Sequence, residues 1–411
     1  MRSALPDRLV VAVLSETYSP AMGYIQNVLP KSLARLGADA HLVTMDRAPL
    51  SDLPDFHEIY GQFAEGFQLT PGMVERVNGF TLHVVGHRRI LGYVRMRRMF
   101  ETLRSIRADV VQSPAAIGWI PVDAAAGKTI FGYKLFTGCH TTSSVFPLAQ
   151  SANPPWNAER LRALAFRGLH GRLVSWATEK CYAATIDCAA VATRFFGVQQ
   201  RKVEVCPLGV DTEMFRPAQS GAEREERALL RRELGFGEGE IVCVYTGRFT
   251  EAKDPALLAR AVERLRRQGL PFRGLFIGAG PQEPAIRACD GCVVRPFAPV
   301  SDLGRYFRAA DVGVWPRQES MSMLDAAACG IPIVVNDTVQ AVERIKGNGV
   351  TYRLGEIDDL LRVLTALQDA GERRRLGTCG AERMRTEFSW EIIARRRLRD
   401  YEAAVRLRVR T

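Results

Sequence analysis

Apolar positions along this chain fall into two successive rhythms. Residues 9–14 form a continuous valine-rich run, Pro20 and Gly23 mark a turn, residues 26–36 place apolar side chains at helical spacing, and residues 40–44 are apolar again. That succession predicts a β-α-β unit. Further apolar runs predict strands at 109–112, 129–136, 189–192 and 203–206. Strands with no polar alternation belong to a parallel sheet covered by helices on both faces.

The rhythm stops at residues 207–222, where Gly209, Pro217, Ser220 and Gly221 break it before a charged helix at 223–234. It then restarts with strands at 241–245, 274–277, 312–315 and 331–335 and a helix at 255–268. The expectation is an α/β protein of two Rossmann-like, doubly wound parallel-sheet domains, one over 1–208 and one from 209. Facing one another, two such sheets leave an interdomain cleft at the C-terminal ends of their strands, where open α/β folds bind ligands.

At 411 residues the chain exceeds what one hydrophobic core normally serves, which agrees with two domains. Its 47% hydrophobic and 25% charged content is ordinary for globular protein and excludes a disordered chain. A formal charge of +11 suits an anionic partner: nucleotide phosphates, an anionic membrane surface or nucleic acid. No aromatic-rich basic motif supports the last, so nucleic acid is not expected. Nine cysteines without disulfide-like spacing fit a reducing, cytoplasmic setting. Cys289 and Cys292 have metal-like spacing, but no second pair follows and ordinary thiols are expected. The run at 9–14 is too short for a signal-peptide core, and no stretch approaches the roughly 20 apolar residues of a membrane span.

Candidate chemistry lies at strand ends. In Tyr245-Thr-Gly-Arg-Phe-Thr-Glu-Ala-Lys253 a buried strand runs into Gly247, and Arg248 and Lys253 flank the loop. Two cations there can grip a diphosphate, Arg by its fork and Lys as a point charge, or they are solvated loop charges. From Trp315 to Gly330 a second strand end leads through Glu319, Ser320 and Met321 into a helix. Ser322 and Asp325 match a capping box that would open the helix as an anion site. Glu319 can accept hydrogen bonds from sugar hydroxyls, and Asp325 serves either a ligand or the cap alone. His140 follows the strand read at 129–136, and Gly23 follows the first strand. Each has a structural reading as well as a ligand-contacting one. Gly278 and Gly280 lack the third glycine of a dinucleotide fingerprint. With no Asp-x-Asp pair, a metal-held sugar nucleotide is not expected.

At these residues the chain resembles the retaining glycosyltransferases of family 4, whose two-domain architecture is called GT-B. The resemblance rests on Pro207-Leu-Gly-Val-Asp-Thr-Glu-Met-Phe-Arg-Pro217, on Gly247-Arg248 with Lys253, and on Phe276-Ile-Gly-Ala-Gly-Pro281. It continues through Ala309-Ala-Asp311, Leu324-Asp-Ala-Ala-Ala-Cys-Gly-Ile-Pro332 and Phe388-Ser-Trp390. It implies a donor-binding domain over 209–390 and a last helix, 391–411, that crosses back to the N-terminal domain. It also implies that Arg248 and Lys253 hold the diphosphate of a UDP- or GDP-sugar, Asp325 the ribose, and Glu319 the transferred sugar. Gly23 would lie beside the phosphates and His140 near the sugar, and Glu343 matches a family glutamate. Gly247, Ser320, Met321 and Ser322 complete the donor-binding set, with no cofactor and no metal. Catalysis would rest on stabilising the leaving diphosphate and excluding water.

Two departures from the family pattern stand out. The family places seven residues between two glutamates, whereas five separate Glu319 from Asp325, and ungapped alignment puts Arg317 in the first position. Val339-Gln340 and Met22-Gly23 stand where glycine pairs are usual. A non-catalytic relative and a nucleotide-sugar epimerase of the same architecture are the alternatives. The acceptor is expected to be a sugar, lipid-linked or small-molecule hydroxyl compound, contacted by residues within 50–110 and 141–172. Residues 87–107 carry seven arginines. As one helix they would gather Leu91, Met96, Met99, Phe100 and Leu103 near one face and spread Arg88, Arg95, Arg98 and Arg104 around the others. That pattern fits either peripheral binding to an anionic membrane or a core-facing helix with solvated arginines.

Overall fold

The computed structural model describes residues 8–52, 56, 68–90, 93–149 and 167–409. The chain divides into two compact units. One comprises Met1–Leu53, Ala64–Leu208 and Trp390–Thr411, the other Pro54–Phe63 and Gly209–Ser389.

The first unit contains β1 (Val10–Ser15), β2 (Asp39–Met45), β3 (Val74–Val77), β4 (Phe80–Val85), β5 (His87–Ile90), β6 (Tyr93–Met96), β7 (Val110–Gln112), β8 (Lys134–Cys139), β9 (Thr178–Ala183) and β10 (Val203–Val205). Eight of these form one sheet in the order β10-β9-β8-β7-β1-β2-β4-β3, parallel except for the edge pair β3 and β4. Since β1 lies between β2 and β7, with Val11 opposite both Ala40 and Val110, the strand order reverses beside it. Solid apolar runs such as Val11 to Leu14 are buried because helices cover both faces. One of these helices is Trp390–Val409, whose Trp390, Ile393 and Tyr401 join the core of Val11, Leu42 and Val110. Its Tyr401 hydroxyl also bonds Gln112 at 2.8 Å.

In the second unit β11 (Ile241–Thr246), β12 (Phe272–Ile277), β13 (Cys292–Arg295), β14 (Val312–Trp315), β15 (Ile333–Asn336) and β16 (Gly349–Tyr352) form an all-parallel sheet, ordered β13-β12-β11-β14-β15-β16. Its switch of direction falls between β11 and β14. The Ala309-Ala-Asp311 motif locks this sheet: Asp311 bonds Arg227 at 2.8 Å, Arg231 at 2.9 Å and the Val242 N–H at 2.8 Å. A carboxylate with two guanidinium partners and a backbone donor has its buried charge satisfied.

Several expected elements differ. The run 129–136 is the end of helix Trp119–Phe131 and the start of β8, because Gly132 adopts a φ of 73° that stops the helix. Residues 189–192 lie inside helix Ile186–Phe195, which Thr185 caps by accepting from the Cys188 N–H at 3.0 Å. Residues 87–107 are no single helix: β5 and β6 form an antiparallel hairpin, followed by helix Met99–Ile106. Gly92 and the β-favouring Ile90, Tyr93 and Val94 sit mid-run, and Arg98, at a φ of 56°, separates strand from helix. Leu91 lies outside the described residues, as do 53–55, 57–67 and 150–166 of the segments read as acceptor-contacting. Among the described residues no helix is long and apolar enough to cross a membrane.

Candidate active site

In the second unit the loops leaving β11 and β14 part at the sheet's switch point, and open parallel sheets bind ligands there. The β11 loop is fixed by glycine. Gly247, Gly278 and Gly280 take φ values of 142°, 152° and 145°, and a Cβ on Gly278 would stand 1.9 Å from the Gly247 carbonyl oxygen. The two loops therefore join by backbone, Gly247 N–H to Ile277 at 3.0 Å and Phe249 N–H to Ala279 at 2.8 Å. The Gly278-Ala-Gly280 segment is a scaffold for the neighbouring loop.

On that scaffold stand Arg248 and Lys253, both half-buried. Lys253 donates from Nζ to the Glu319 carbonyl oxygen at 2.9 Å. Among the described residues, neither it nor Arg248 has a carboxylate partner within ion-pair distance. Burial, then the adjacent Arg248 charge, pull the Lys253 pKa down to about 8, against a smaller upward pull from Glu319. Two neighbouring cations with no neutralising anion make a strongly electropositive spot suited to a polyanion.

The β14 loop is pinned carbonyl by carbonyl. Asn336 donates to the oxygens of Pro316 at 3.1 Å and Arg317 at 2.7 Å, and Tyr352 donates to Pro316 at 2.6 Å. Arg317 reaches back to the Glu251 carbonyl at 3.2 Å. Glu319 faces the following loop: its carboxylate accepts from the N–H groups of Gln340 at 3.2 Å and Ala341 at 3.4 Å and meets Arg344 at 3.5 Å. Glu343, beside Arg344, has both carboxylate oxygens buried with no hydrogen-bond partner among the described residues.

The expected capping box does not form. Helix Ser322–Ala328 begins at Ser322 with Met321 as N-cap, and the Ser320 hydroxyl bonds that of Ser322 at 2.7 Å and lies 3.4 Å from its N–H. With the cap one residue earlier than read, Ser322 is helical and Asp325 is released from capping. Asp325 is half-buried, and desolvation, then the Asp211 charge, raise its pKa to about 8.

The remaining expected residues belong to the first unit. Gly23 is exposed in the loop between β1 and helix Ile25–Arg35. His140 directly follows β8 and lines a cavity of about 20 Å³ with Ser15, Gln112, Ser113 and the buried Arg397, beside that sheet's own reversal at β1. Spacing gave no sign of Asn336, Tyr352, Arg344 or Arg397, which act through carbonyls, packing or a distant loop. Cys289 and Cys292 are free thiols, and among the described residues no His, Cys, Asp and Glu cluster is arranged to hold a metal ion.

Comparison with known proteins identifies the family. A family model described as Glycosyltransferase Family 4 matches residues 29–214, and one described as Glycosyl transferases group 1 matches 240–369. A D-inositol 3-phosphate glycosyltransferase of Segniliparus rotundus is 29% identical over 71% of this chain and 64% of its own length. The protein of the same name from Kribbella flavida is 31% identical over 56% and 57%. The chain thus spans between half and two thirds of the length of the first such relatives. Sucrose-phosphate synthase of Thermosynechococcus elongatus superposes with a TM-score of 0.68 at 18% identity, over 97% of this chain and 99% of that one. Anabaena HepE in complex with UDP and glucose does so at 0.67 and 13%, over 96% and 100%. The architecture is GT-B, with two Rossmann-like domains. With the two glycosyltransferase models matching residues 29–214 and 240–369, together more than half of the chain, the chain belongs to the family 4 glycosyltransferases.

Proposed function

We infer that this protein transfers a sugar, with retention of configuration, from a nucleoside-diphosphate sugar to a hydroxyl group. The observation that carries this reading is the pair Arg248 and Lys253 on a backbone-fixed loop at a sheet switch point, with no carboxylate within ion-pair distance among the described residues. A diphosphate supplies the missing charge. As the sugar leaves, negative charge grows on the diphosphate, and cations already in place stabilise it without reorganising. They do so with no metal ion. Asp325 reads as the ribose contact, since ligand hydroxyls would relieve a poorly solvated carboxyl group. His140 belongs to the first unit and is assigned to the sugar-transfer step instead of nucleotide binding.

For Glu319 the reading shifts from direct sugar contact to positioning. Its carboxylate fixes the 340–344 segment and its carbonyl fixes Lys253, so one residue ties the β14 loop to both. The test is a panel of UDP-, GDP- and ADP-sugars incubated with purified protein, with nucleoside diphosphate release as the readout. One donor should be consumed by wild type and spared by Lys253→Ala. Tight donor binding without turnover would mark a non-catalytic relative, and sugar interconversion without acceptor an epimerase; either outcome overturns the transfer reading.

A further inference from the structure

The hairpin of β5 and β6 concentrates positive charge on one of its faces. Arg88 lies directly opposite Arg95 in the antiparallel register, and Arg97 follows two residues on, with its N–H bonded to Gly86 at 2.7 Å. Alternation along strands places Arg88, Arg95 and Arg97 on the same side. Like charges directly across a ladder repel. Only Arg95 is compensated, by a two-pronged bond to Asp123 with both contacts at 2.7 Å, and it also stacks over Trp119 at 4.9 Å.

These arginines line a groove of about 1000 Å³ in the first unit, with Met99, Phe100 and Thr102 of the next helix. The groove's three carboxylates are all taken. Asp123 holds Arg95, Asp46 holds His87 at 2.6 Å, and Glu101 holds Arg98 at 3.6 Å. Among the described residues Arg88 and Arg97 have no carboxylate partner, although both are exposed and free to reach one. Two guanidinium forks on one face of a groove match the oxygens of a phosphate group.

We propose that this groove binds a phosphate ester through Arg88 and Arg97. The site lies wholly within the first unit and does not rest on the donor reading of Arg248 and Lys253. Two sources share the chemistry: a soluble phosphomonoester and the headgroup of an anionic lipid. Because both arginines are exposed, added salt should weaken either interaction.

The test uses full-length protein at low ionic strength with UDP and GDP both in excess, so that it does not depend on which donor, if any, the second unit binds. Inorganic phosphate is titrated by phosphorus NMR, and in parallel the protein is sedimented with vesicles of phosphatidylcholine alone or mixed with phosphatidylglycerol. Wild type should bind phosphate, mixed vesicles or both, and Arg88→Ser/Arg97→Ser should lose at least about tenfold in affinity. Binding of phosphate identifies a soluble ester as sufficient, and binding of mixed vesicles alone identifies the lipid headgroup. Arg88→Lys/Arg97→Lys should retain part of the affinity, and the serine variant should melt no lower than wild type, since it relieves repulsion. Lys253→Ala, which probes the donor site alone, should leave both probes unaffected. Equal binding of both probes by wild type and the serine variant, or binding of neither, overturns the proposal.

Discussion

Arg248 with Lys253 and Arg88 with Arg97 are two pairs of cations that have no carboxylate partner among the described residues, and their surroundings differ. Arg248 and Lys253 are half-buried on a loop whose backbone is fixed by glycine contacts, and desolvation has moved Lys253 to about 8. Arg88 and Arg97 are exposed on a hairpin face. A charge taken out of water loses hydration and gains strength toward an anion, whereas an exposed charge keeps its hydration and is screened by salt. On the proposed reading the first pair suits a fixed polyanion in a defined orientation, the second a salt-sensitive one.

The sharpest way to break this contrast is to remove the buried pair. Arg248→Ala/Lys253→Ala should lower kcat/KM for the donor by a hundredfold or more, on the order of 3 kcal/mol, from steady-state kinetics. An effect below tenfold would place both cations outside the leaving-group site.

Much of this site was legible in the sequence, and the reasons are local. Solid apolar runs at Val11 and Val242 marked buried parallel strands, and Gly247, Arg248 and Lys253 announced a strand end with cations close in the chain. The hairpin at 87–96 was missed because the apolar residues and arginines of 87–107 can be sorted onto the faces of a helical wheel as well as onto strands. The cap was read one residue late, at Ser322, because Ser322 and Asp325 have capping-box spacing, whereas the observed N-cap is Met321, whose side chain makes no cap hydrogen bond and so leaves no mark in the sequence. Glu319 was read as ligand-facing, since nothing in its own segment shows that Gln340, Ala341 and Arg344 return to it from beyond β15.

Glu319→Gln should lower stability by about 2 kcal/mol in denaturant titration, because it leaves the buried Arg344 facing a neutral amide. Its donor KM should rise more than its kcat falls, as expected of a residue that positions Lys253. A kcat loss with unchanged KM and stability would restore direct sugar contact.

A third prediction concerns pH. Lys253 loses its charge as pH rises through about 8, so donor affinity should fall above that point by up to about tenfold per unit. Titration calorimetry from pH 6.5 to 9.5 checks this, and a flat profile would remove Lys253 from the diphosphate. The same depressed pKa has a stability consequence. The folded state holds an unfavourable charge below pH 8, a cost relieved as pH climbs from there toward 10.5, the ordinary lysine value. Lys253→Met should therefore stabilise the ligand-free protein at pH 7, by about 1 kcal/mol in thermal melts.

The central claim is that Arg248 and Lys253 bind phosphate oxygens and not the base or the sugar. Calorimetry of the nucleoside diphosphate released from the preferred donor, set beside the phosphate-free nucleoside, tests it directly. Lys253→Ala should weaken the diphosphate on the order of thirtyfold, about 2 kcal/mol, while leaving the nucleoside unchanged. Equal losses for both ligands, or none for either, would contradict the account.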